Sequence, residues 1–245
     1  MDGKPVMLVT GAGRGIGAAV ARLAAAQGHD LVLTWRHGRD AAEATAEGCR
    51  AAGAAVELVQ ADAGDLAANG RCFATLDARF GRLDALVANA GITGPASGFL
   101  DSTDATWAEV FRVNVLGLAA TCREAARRMA ASRGRRGGGI VALSSRAAQI
   151  GSAFEFIHYA ATKGAVDSLV AGLSKELAGE GIRVNAVAPG MIDTDIHVSA
   201  GIPERVDRIV PNIPLRRLGG RRRWPRRYCS CSRRPAPTSR GPCCR

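Results

Sequence analysis

Long apolar runs are missing from this sequence. Gly, Arg or Asp interrupts every apolar stretch well before the roughly 20 residues that a membrane-spanning helix needs. The sequence does not open with a charged segment followed by an apolar one, as a secretion signal does. These absences predict a cytoplasmic protein that does not cross a membrane.

The few cysteines and histidines of this sequence are not spaced as metal ligands. Cys49, Cys72 and Cys122 lie far apart, and the four histidines are scattered. Neither arrangement resembles a disulfide framework or a zinc site. Four more cysteines crowd the end of the chain as C-x-C and C-C, which also lacks the usual zinc spacing: Cys229, Cys231, Cys243 and Cys244. The sequence therefore predicts no metal.

Acidic residues are absent from the last part of the chain. Residues 219–245 hold nine Arg and no Asp or Glu. The whole chain has 33 basic and 22 acidic residues, so removing those nine leaves 24 against 22, or about +2, for residues 1–218. An Arg-rich tail can bind nucleic acid, but the nearly neutral body makes nucleic acid an improbable partner of the main domain. We divide the chain into a domain over 1–218 and an irregular basic tail over 219–245.

The body contains a regular alternation of short apolar strands and helices. Strands that are apolar almost throughout are buried on both faces, as in a parallel sheet covered by helices. With 245 residues, 47% of them apolar, the chain is long enough for one such domain. The pattern predicts an α/β fold of three layers with a doubly wound parallel sheet. Its strands are expected over residues 6–10, 31–35, 56–60, 83–90, 139–145 and 182–188, and one long helix over about 104–131.

The turn after the first predicted strand is rich in glycine. It reads TGAGRGIG from Thr10 to Gly17, and its Gly11 and Gly15 complete the pattern T-G-x-x-x-G-x-G. Ile16 occupies the place of the third glycine in the shorter pattern G-x-G-x-x-G. Glycines here allow backbone N–H groups to approach a pyrophosphate, which the positive N-terminus of the next helix also favours. Such turns also occur without a ligand, so the pattern alone leaves both possibilities open.

Basic residues stand where many dinucleotide sites carry an acid. An Asp or Glu after the second strand binds both ribose hydroxyls and repels a 2′-phosphate, but this chain has Arg36 there and Arg14 in the glycine turn. Two guanidinium groups can grip a phosphate dianion through charge-assisted hydrogen bonds. The sequence therefore predicts NADP(H) over NAD(H), with a solvated surface Arg36 as the alternative.

A tyrosine, a lysine and two serines are the candidate catalytic residues. Tyr159 and Lys163, in YAATK, are four residues apart and share one face of a predicted helix. An ammonium beside a phenol favours the phenolate, which lowers the pKa from its ordinary value near ~10. Ser144 and Ser145 end a predicted strand at the edge of the sheet where such folds bind ligands. A serine hydroxyl there can hold a carbonyl oxygen.

Taken in order, these motifs resemble those of the short-chain dehydrogenase/reductase family, including its 3-oxoacyl-carrier-protein reductases and sugar dehydrogenases. The resemblance covers about residues 5–218 and implies a Rossmann fold. The matching segments are TGAGRGIG, NAG at 89–91, Asn114 in FRVNVLG, the serine pair, YAATK, and VAPG at 187–190.

The resemblance implies roles for individual residues. Tyr159 becomes the general acid/base, Lys163 lowers its pKa and binds the nicotinamide ribose, Ser145 holds the substrate oxygen, and Asn114 anchors a water of the proton relay. The segments 147–156 and 191–212 become the substrate pocket, and the few charges in the first of them predict a neutral substrate. The remaining cofactor contacts fall on Thr10, Gly11, Arg14, Gly15, Ile16, Gly17, Arg36, Asp62, Asn89, Ala90, Gly91, Pro189, Gly190 and Thr194.

The implied reaction is hydride transfer between NADP(H) and a small carbonyl or alcohol substrate. The resemblance also implies a homotetramer or dimer. A non-catalytic nucleotide-binding protein is the alternative, because the tail departs from the family pattern. A third possibility is a nucleic-acid-binding protein that uses the Arg-rich tail.

The tail itself is explained by a shifted reading frame. The family continues after the segment equivalent to RRLG with an amphipathic helix and a last parallel strand, and neither pattern is found after Gly220. Codons can be chosen that encode RRRWPRRYCSCS, starting at residue 221. When the same bases are read from one base earlier, the last base of the Gly220 codon, they encode AEEVAEAVLFLL. The remaining codons can continue as SPAGAYVTGAVL, so a helix-then-strand pattern is recovered. We therefore interpret residues 219–245 as a frameshifted segment that puts the oligomer in doubt.

Overall fold

Six parallel strands form one sheet in the part of the chain that the structure describes. The structure is a computed structural model, and it describes residues 3–192, 202, 204–213 and 215–220. The strands are β1 (Val6–Val9), β2 (Asp30–Trp35), β3 (Val56–Gln60), β4 (Ala85–Ala88), β5 (Gly138–Leu143) and β6 (Ile182–Val187). Each lies within two residues of its predicted bounds, because continuous apolar runs between turn residues leave little choice of strand.

Helices follow the strands and cover both faces of this sheet. Alternate residues of β1 show the two faces, because Leu8 packs into one apolar cluster and Met7 and Val9 into another. The predicted α/β fold with three layers is confirmed. Within the described ranges the α-helices are α1 (Gly15–Ala26), α2 (Arg39–Ala51), α3 (Leu66–Phe80), α4 (Asp104–Phe111), α5 (Leu118–Met129), α6 (Ala147–Ile150), α7 (Ile157–Glu176) and α8 (Arg205–Ile209).

The strand order places the ligand-binding crevice. The order is β3-β2-β1-β4-β5-β6, so the chain reverses its direction of travel across the sheet between β1 and β4. Loops at the carboxyl ends of these two strands lead away to opposite sides, which opens a crevice between them. The glycine turn after β1 and the NAG segment after β4 lie at this crevice.

The long helix predicted over 104–131 is interrupted. A wide π-helical turn, Arg112–Gly117, separates α4 from α5. A side chain on Gly117 would place its Cβ 2.1 Å from the Ala63 carbonyl oxygen, so only glycine lets this turn approach the loop after β3. Periodicity could not show the interruption, because it depends on a neighbour that is distant in sequence.

No helix among the described residues combines the length and the apolar character needed to cross a bilayer. Thr194, most of the basic tail and part of the second predicted pocket segment lie outside the described residues.

Candidate active site

The glycine turn adopts a conformation that its sequence makes possible. Gly11 and Gly15 have φ values of 65° and 60°, in the left-handed region that favours glycine. Arg14 precedes α1, and the first turn of that helix has neither a side-chain cap nor an acidic residue. The N-terminal amides of α1 are therefore arranged to receive an anion.

Asn89 and Thr10 hold the turn against the neighbouring strand. The Asn89 Nδ2 atom donates to the carbonyl oxygens of Thr10 and Gly11, at 2.9 and 3.0 Å. In return, the Thr10 Oγ1 atom accepts from the amides of Asn89 and Ala90, both at 3.0 Å. These four bonds fix the spacing between the turn and the NAG segment, so both residues support the site through the backbone.

Gly17 permits the closest approach in the turn. A Cβ added at this position would lie 2.4 Å from the Gly11 carbonyl oxygen and 2.6 Å from Asn89 Nδ2. Real Cβ atoms do not tolerate such distances, so glycine is required for α1 to pack against the turn.

A cleft of about 780 Å³ runs from the end of β2 to α7. Its size suits a dinucleotide-sized ligand. Eleven of the predicted site residues line it: Gly11, Arg14, Gly15, Ile16, Arg36, Asp62, Asn89, Ala90, Gly91, Tyr159 and Lys163. The structure thus brings together predicted residues from five separate segments of the sequence.

One end of this cleft carries an ionic cluster. Arg36 Nε lies 3.5 Å from Asp62 Oδ2, and Arg36 Nη1 lies 3.9 Å from Glu109 Oε1. Arg112 donates to the same two carboxylates, at 3.0 Å to Asp62 and 2.7 Å to Glu109. Partial burial raises the pKa of Asp62, but the Gly64 amide and the two guanidinium groups outweigh it and hold the pKa below its usual range. Asp62 is therefore ionised and holds Arg36 at the edge of the cleft.

Tyr159 stands where this cleft meets a second, smaller cavity. Burial raises the pKa of the phenol above its ordinary value, while the Ser145 hydroxyl, through a hydrogen bond, and the positive charge of Arg205 act to lower it. Of the two serines, only Ser145 is among the groups that act on the pKa of Tyr159. Ser144 Oγ is buried and has no hydrogen-bond partner among the described residues.

Lys163 is buried beneath the tyrosine. Its Nζ donates to the Leu143 carbonyl oxygen at 2.6 Å and lies 5.5 Å from the centre of the Tyr159 ring. Burial lowers the pKa of Lys163 to about 8, although the charge of Asp167 opposes this. Burial thus disfavours the charged form of this lysine.

The smaller cavity, of about 170 Å³, adjoins Tyr159 on the side of the loop 147–156. It is lined by Ser145, Arg146 and Arg205, and also by Pro189 and Gly190, which were expected to contact the cofactor and do not line the larger cleft. Ser152 and Phe154 in this loop have φ values of 48° and 68°, a conformation uncommon for residues other than glycine. Residues from both predicted pocket segments, 147–156 and 191–212, line this cavity together with Tyr159.

Asn114 lies in the π-helical turn and links two elements. Its Oδ1 accepts from the Ile92 amide at 2.9 Å, and its Nδ2 donates to the Ile92 carbonyl at 2.8 Å and to Thr162 Oγ1 at 3.1 Å. The amide N–H groups are thus already used. Asn114 ties the loop after β4 to α7, which carries Tyr159 and Lys163.

Comparison with known proteins identifies the family. A family model described as short chain dehydrogenase matches residues 5–204. The chain belongs to the short-chain dehydrogenase/reductase family. The expectation from its motifs is confirmed, and the chain is an oxidoreductase that acts on CH–OH and C=O groups.

Relatives of this dehydrogenase/reductase cover most of its length. An uncharacterized oxidoreductase, YgfF, from Escherichia coli is 42% identical, over 87% of each chain. The L-rhamnose 1-dehydrogenase (NAD(P)(+)) of Azotobacter vinelandii is 40% identical, over 87% of this chain and 83% of its own. A crystal structure of a short chain dehydrogenase from Burkholderia cenocepacia in complex with NADP is 32% identical, with a TM-score of 0.82 over 91% of this chain and 87% of its own.

Two arginines of this reductase site were missed by sequence reasoning. Arg112 follows Glu109 by three residues, so helical spacing could have found their pair but not the third partner, Asp62. Arg205 lies within a predicted pocket segment, yet no sequence pattern distinguishes it from Arg208. His158, which directly precedes Tyr159, bonds to the Thr93 carbonyl at 2.9 Å and packs against Trp107.

Proposed function

We propose that this enzyme reduces a small carbonyl compound with NADPH, and oxidises the corresponding alcohol in reverse. The observation that carries the proposal is the position of Tyr159, which lines both the large cleft and the small cavity, with Ser145 in the wall of the small cavity. A carbonyl carbon in the small cavity is thereby next to a proton donor and beside the cleft that suits the cofactor. Loss of NADPH absorbance with a panel of ketones tests this, and no consumption with any ketone would refute it.

The cleft fits a dinucleotide. The turn at Gly11 and Gly17 has no room for a Cβ, and the amides at the start of α1 are arranged for a pyrophosphate. Lys163 lies deep in the same cleft, where the resemblance places the nicotinamide ribose. When bound, the nicotinamide supplies or accepts the hydride.

The protein's own residues handle the oxygen and the proton. We assign Ser145 to hold the substrate oxygen and Tyr159 to donate the proton to it during reduction. Lys163 stabilises the resulting phenolate, since its ammonium lies below the ring. Asn114 holds the loop after β4 and α7 together, and a relay water is assigned to it by resemblance.

We further propose that NADP(H) is preferred over NAD(H). Arg36 lines the cleft at the end of β2, where an acid would repel a 2′-phosphate. Its side chain is 42% exposed, and its ion pairs with Asp62 and Glu109, at 3.5 and 3.9 Å, support a position at the cleft edge over that of a solvated surface charge. The Burkholderia relative was crystallised with NADP, which supports the same preference here.

Replacing Arg36 by alanine is expected to raise the Kd for NADPH by roughly tenfold or more, because a charge-assisted bond to the 2′-phosphate contributes about 1.5–3 kcal/mol. The Kd for NADH should stay within about twofold. Arg39→Ala is the matched control, since Arg39 is exposed and does not line the cleft. Fluorescence titration with both cofactors measures this, and equal or tighter binding of NADH by the unmodified enzyme would overturn the preference.

We also propose that residues 219–245 are a frameshifted segment. We propose further that the enzyme is cytoplasmic, and that without the frameshift it forms the homotetramer or dimer expected for its family. β6 ends the strand order on one side, and its edge is where another parallel strand would pair. The string recovered from the second frame ends in SPAGAYVTGAVL, which is rich in small and β-type residues.

A chain with AEEVAEAVLFLLSPAGAYVTGAVL after Gly220 is therefore expected to unfold at a temperature at least several degrees higher, and to form a larger oligomer. Calorimetry and light scattering on both chains measure these changes. Equal melting temperatures and equal masses would contradict the proposal. Gene codons incompatible with the second frame would also end it.

A further inference from the structure

Arg112 lies behind the ionic cluster at the end of the large cleft. Its partners in that cluster, Arg36, Asp62 and Glu109, line the cleft, whereas Arg112 does not. Arg112 begins the π-helical turn, and its guanidinium lies against the loop after β3. A Cβ added to Gly64 in this loop would lie 2.7 Å from Arg112 Cζ, so glycine leaves the space that the guanidinium occupies. Arg112 thus reaches both carboxylates from outside the cleft.

Arg112 binds these carboxylates more closely than Arg36 does. Its Nε and Nη2 donate to the two oxygens of Glu109 at 2.7 and 2.8 Å, and its Nη2 also donates to Asp62 Oδ2 at 3.0 Å. The corresponding distances from Arg36 are 3.5 Å to Asp62 and 3.9 Å to Glu109, which are longer than an ordinary hydrogen bond. The hydrogen bonds from Arg112 are also the main reason that the pKa of Glu109 lies below its usual range. Arg112 is therefore the closer cation for both acids, and they hold Arg36 loosely.

Loose pairing leaves Arg36 able to bind a phosphate. A guanidinium bound to a carboxylate through two short hydrogen bonds must give them up before it can bind another anion. The ion pairs of Arg36 are longer than that, and its side chain is 42% exposed at the cleft edge. Its guanidinium can therefore turn to a 2′-phosphate without breaking strong bonds.

Removing Arg112 would change this balance. Asp62 and Glu109 would lose their closer cation, and both would draw Arg36 into shorter bonds. The charge beside the cleft would also become more negative by one, whatever other charges lie nearby, and carboxylates at the cleft edge repel a phosphate dianion. Both effects act on a 2′-phosphate and leave the rest of the dinucleotide untouched.

We propose that Arg112 is the positioning residue that maintains the preference for NADP(H), because it keeps Asp62 and Glu109 from capturing Arg36. This inference rests on the proposed role of Arg36 and specifies what sustains that role. Arg112 acts through the cluster, without contact to the cofactor.

Replacing Arg112 by methionine tests the proposal. Fluorescence titration gives the Kd for NADPH and for NADH, so the result does not depend on turnover. We expect the Kd for NADPH to rise roughly tenfold and that for NADH by at most about threefold. Their ratio separates this effect from a structural one, since the two cofactors differ only in the 2′-phosphate. A ratio that stays within about twofold of the unmodified enzyme would overturn the proposal.

A second substitution should rescue the first. Glu109→Gln combined with Arg112→Met removes one carboxylate together with the guanidinium, which restores the charge of the cluster. The ratio should return to within about threefold of its value in the unmodified enzyme. Glu109→Gln alone should increase the preference for NADPH. A ratio that stays as low in the double variant as in Arg112→Met would show that Arg112 does not act by neutralising the carboxylates.

Arg128→Met is the matched control. Arg128 also bridges two carboxylates, those of Asp77 and Glu124, but does not belong to the cluster or line the cleft. Its loss should leave the ratio of the two Kd values within about twofold. An equal fall of the ratio in Arg128→Met and Arg112→Met would contradict the proposal.

The proposed role of Arg36 and this inference can fail separately. In an Arg36→Ala background, Arg112→Met should change the ratio at least about threefold less than in the unmodified enzyme, and an equal change would show that its effect does not pass through Arg36. If the unmodified enzyme does not prefer NADPH, the cofactor preference fails, yet a further fall of the ratio in Arg112→Met still supports the role of Arg112. If Arg36→Ala removes the preference and Arg112→Met does not, this inference fails alone.

Discussion

Replacing Tyr159 by phenylalanine is expected to lower kcat by roughly a thousandfold or more, while the Kd for NADPH stays within about twofold. General acid–base catalysis by a placed side chain contributes about 10²–10⁴-fold. Tyr159 lines the small cavity together with Ser145, and its hydroxyl is the group to which the proposal assigns the proton. Phenylalanine keeps the ring beside Lys163, so the cofactor cleft retains its shape.

Steady-state NADPH consumption and a fluorescence titration measure the two quantities. Tyr228→Phe is the matched control, because it removes a hydroxyl from the chain's other tyrosine, to which the proposal assigns no role. Melting temperatures should agree within a few degrees, which excludes unfolding as the cause. Normal turnover in the Tyr159 variant would refute its assignment as the proton donor.

Replacing Gly17 by alanine is expected to weaken NADPH binding by roughly a hundredfold or more. The added Cβ would lie 2.4 Å from a backbone oxygen and 2.6 Å from Asn89 Nδ2. Neither atom can withdraw cheaply, because Asn89 is held by its bonds to Thr10 and Gly11. Relief requires α1 to move away from the turn, and overpacking of this kind also costs about 1–3 kcal/mol of stability.

Gly172→Ala is the control for this substitution. Gly172 lies in α7, with no atom within 4 Å of its added Cβ. Alanine there should stabilise the protein by about 0.5–1 kcal/mol and leave cofactor binding unchanged. Calorimetric unfolding and NADPH titration of both variants measure the contrast. Wild-type affinity in the Gly17 variant would show that the turn does not cradle the cofactor as proposed.

Much of the fold could be predicted because its signals are local. Each of the six strands is a largely apolar run bounded by turn residues, and the resulting sheet is confirmed. The glycine turn could also be located, since Gly11 and Gly15 adopt conformations that other residues avoid. The pair Tyr159 and Lys163 was found because helical spacing places them on one face. Their catalytic roles remain predictions.

The parts that were missed depend on contacts between distant segments. The π-helical turn exists where Gly117 meets the loop after β3. Arg112 joins Glu109, its neighbour in sequence, to Asp62, which lies 50 residues away. Arg205 contacts Phe156 and Glu155, about 50 residues earlier. No periodicity links such positions.

The sequence by itself determined the alternation of strands and helices, the family, and the glycine turn that is typical of a dinucleotide site. These follow from apolar periodicity and from the backbone freedom of glycine, which act over a few neighbouring residues. Only the tertiary structure decided which charges meet at the small cavity. Electrostatic interactions depend on distance and burial rather than on separation along the chain, so the ion pair of Arg205 with Glu155 beside the small cavity emerged only when the folded segments came together.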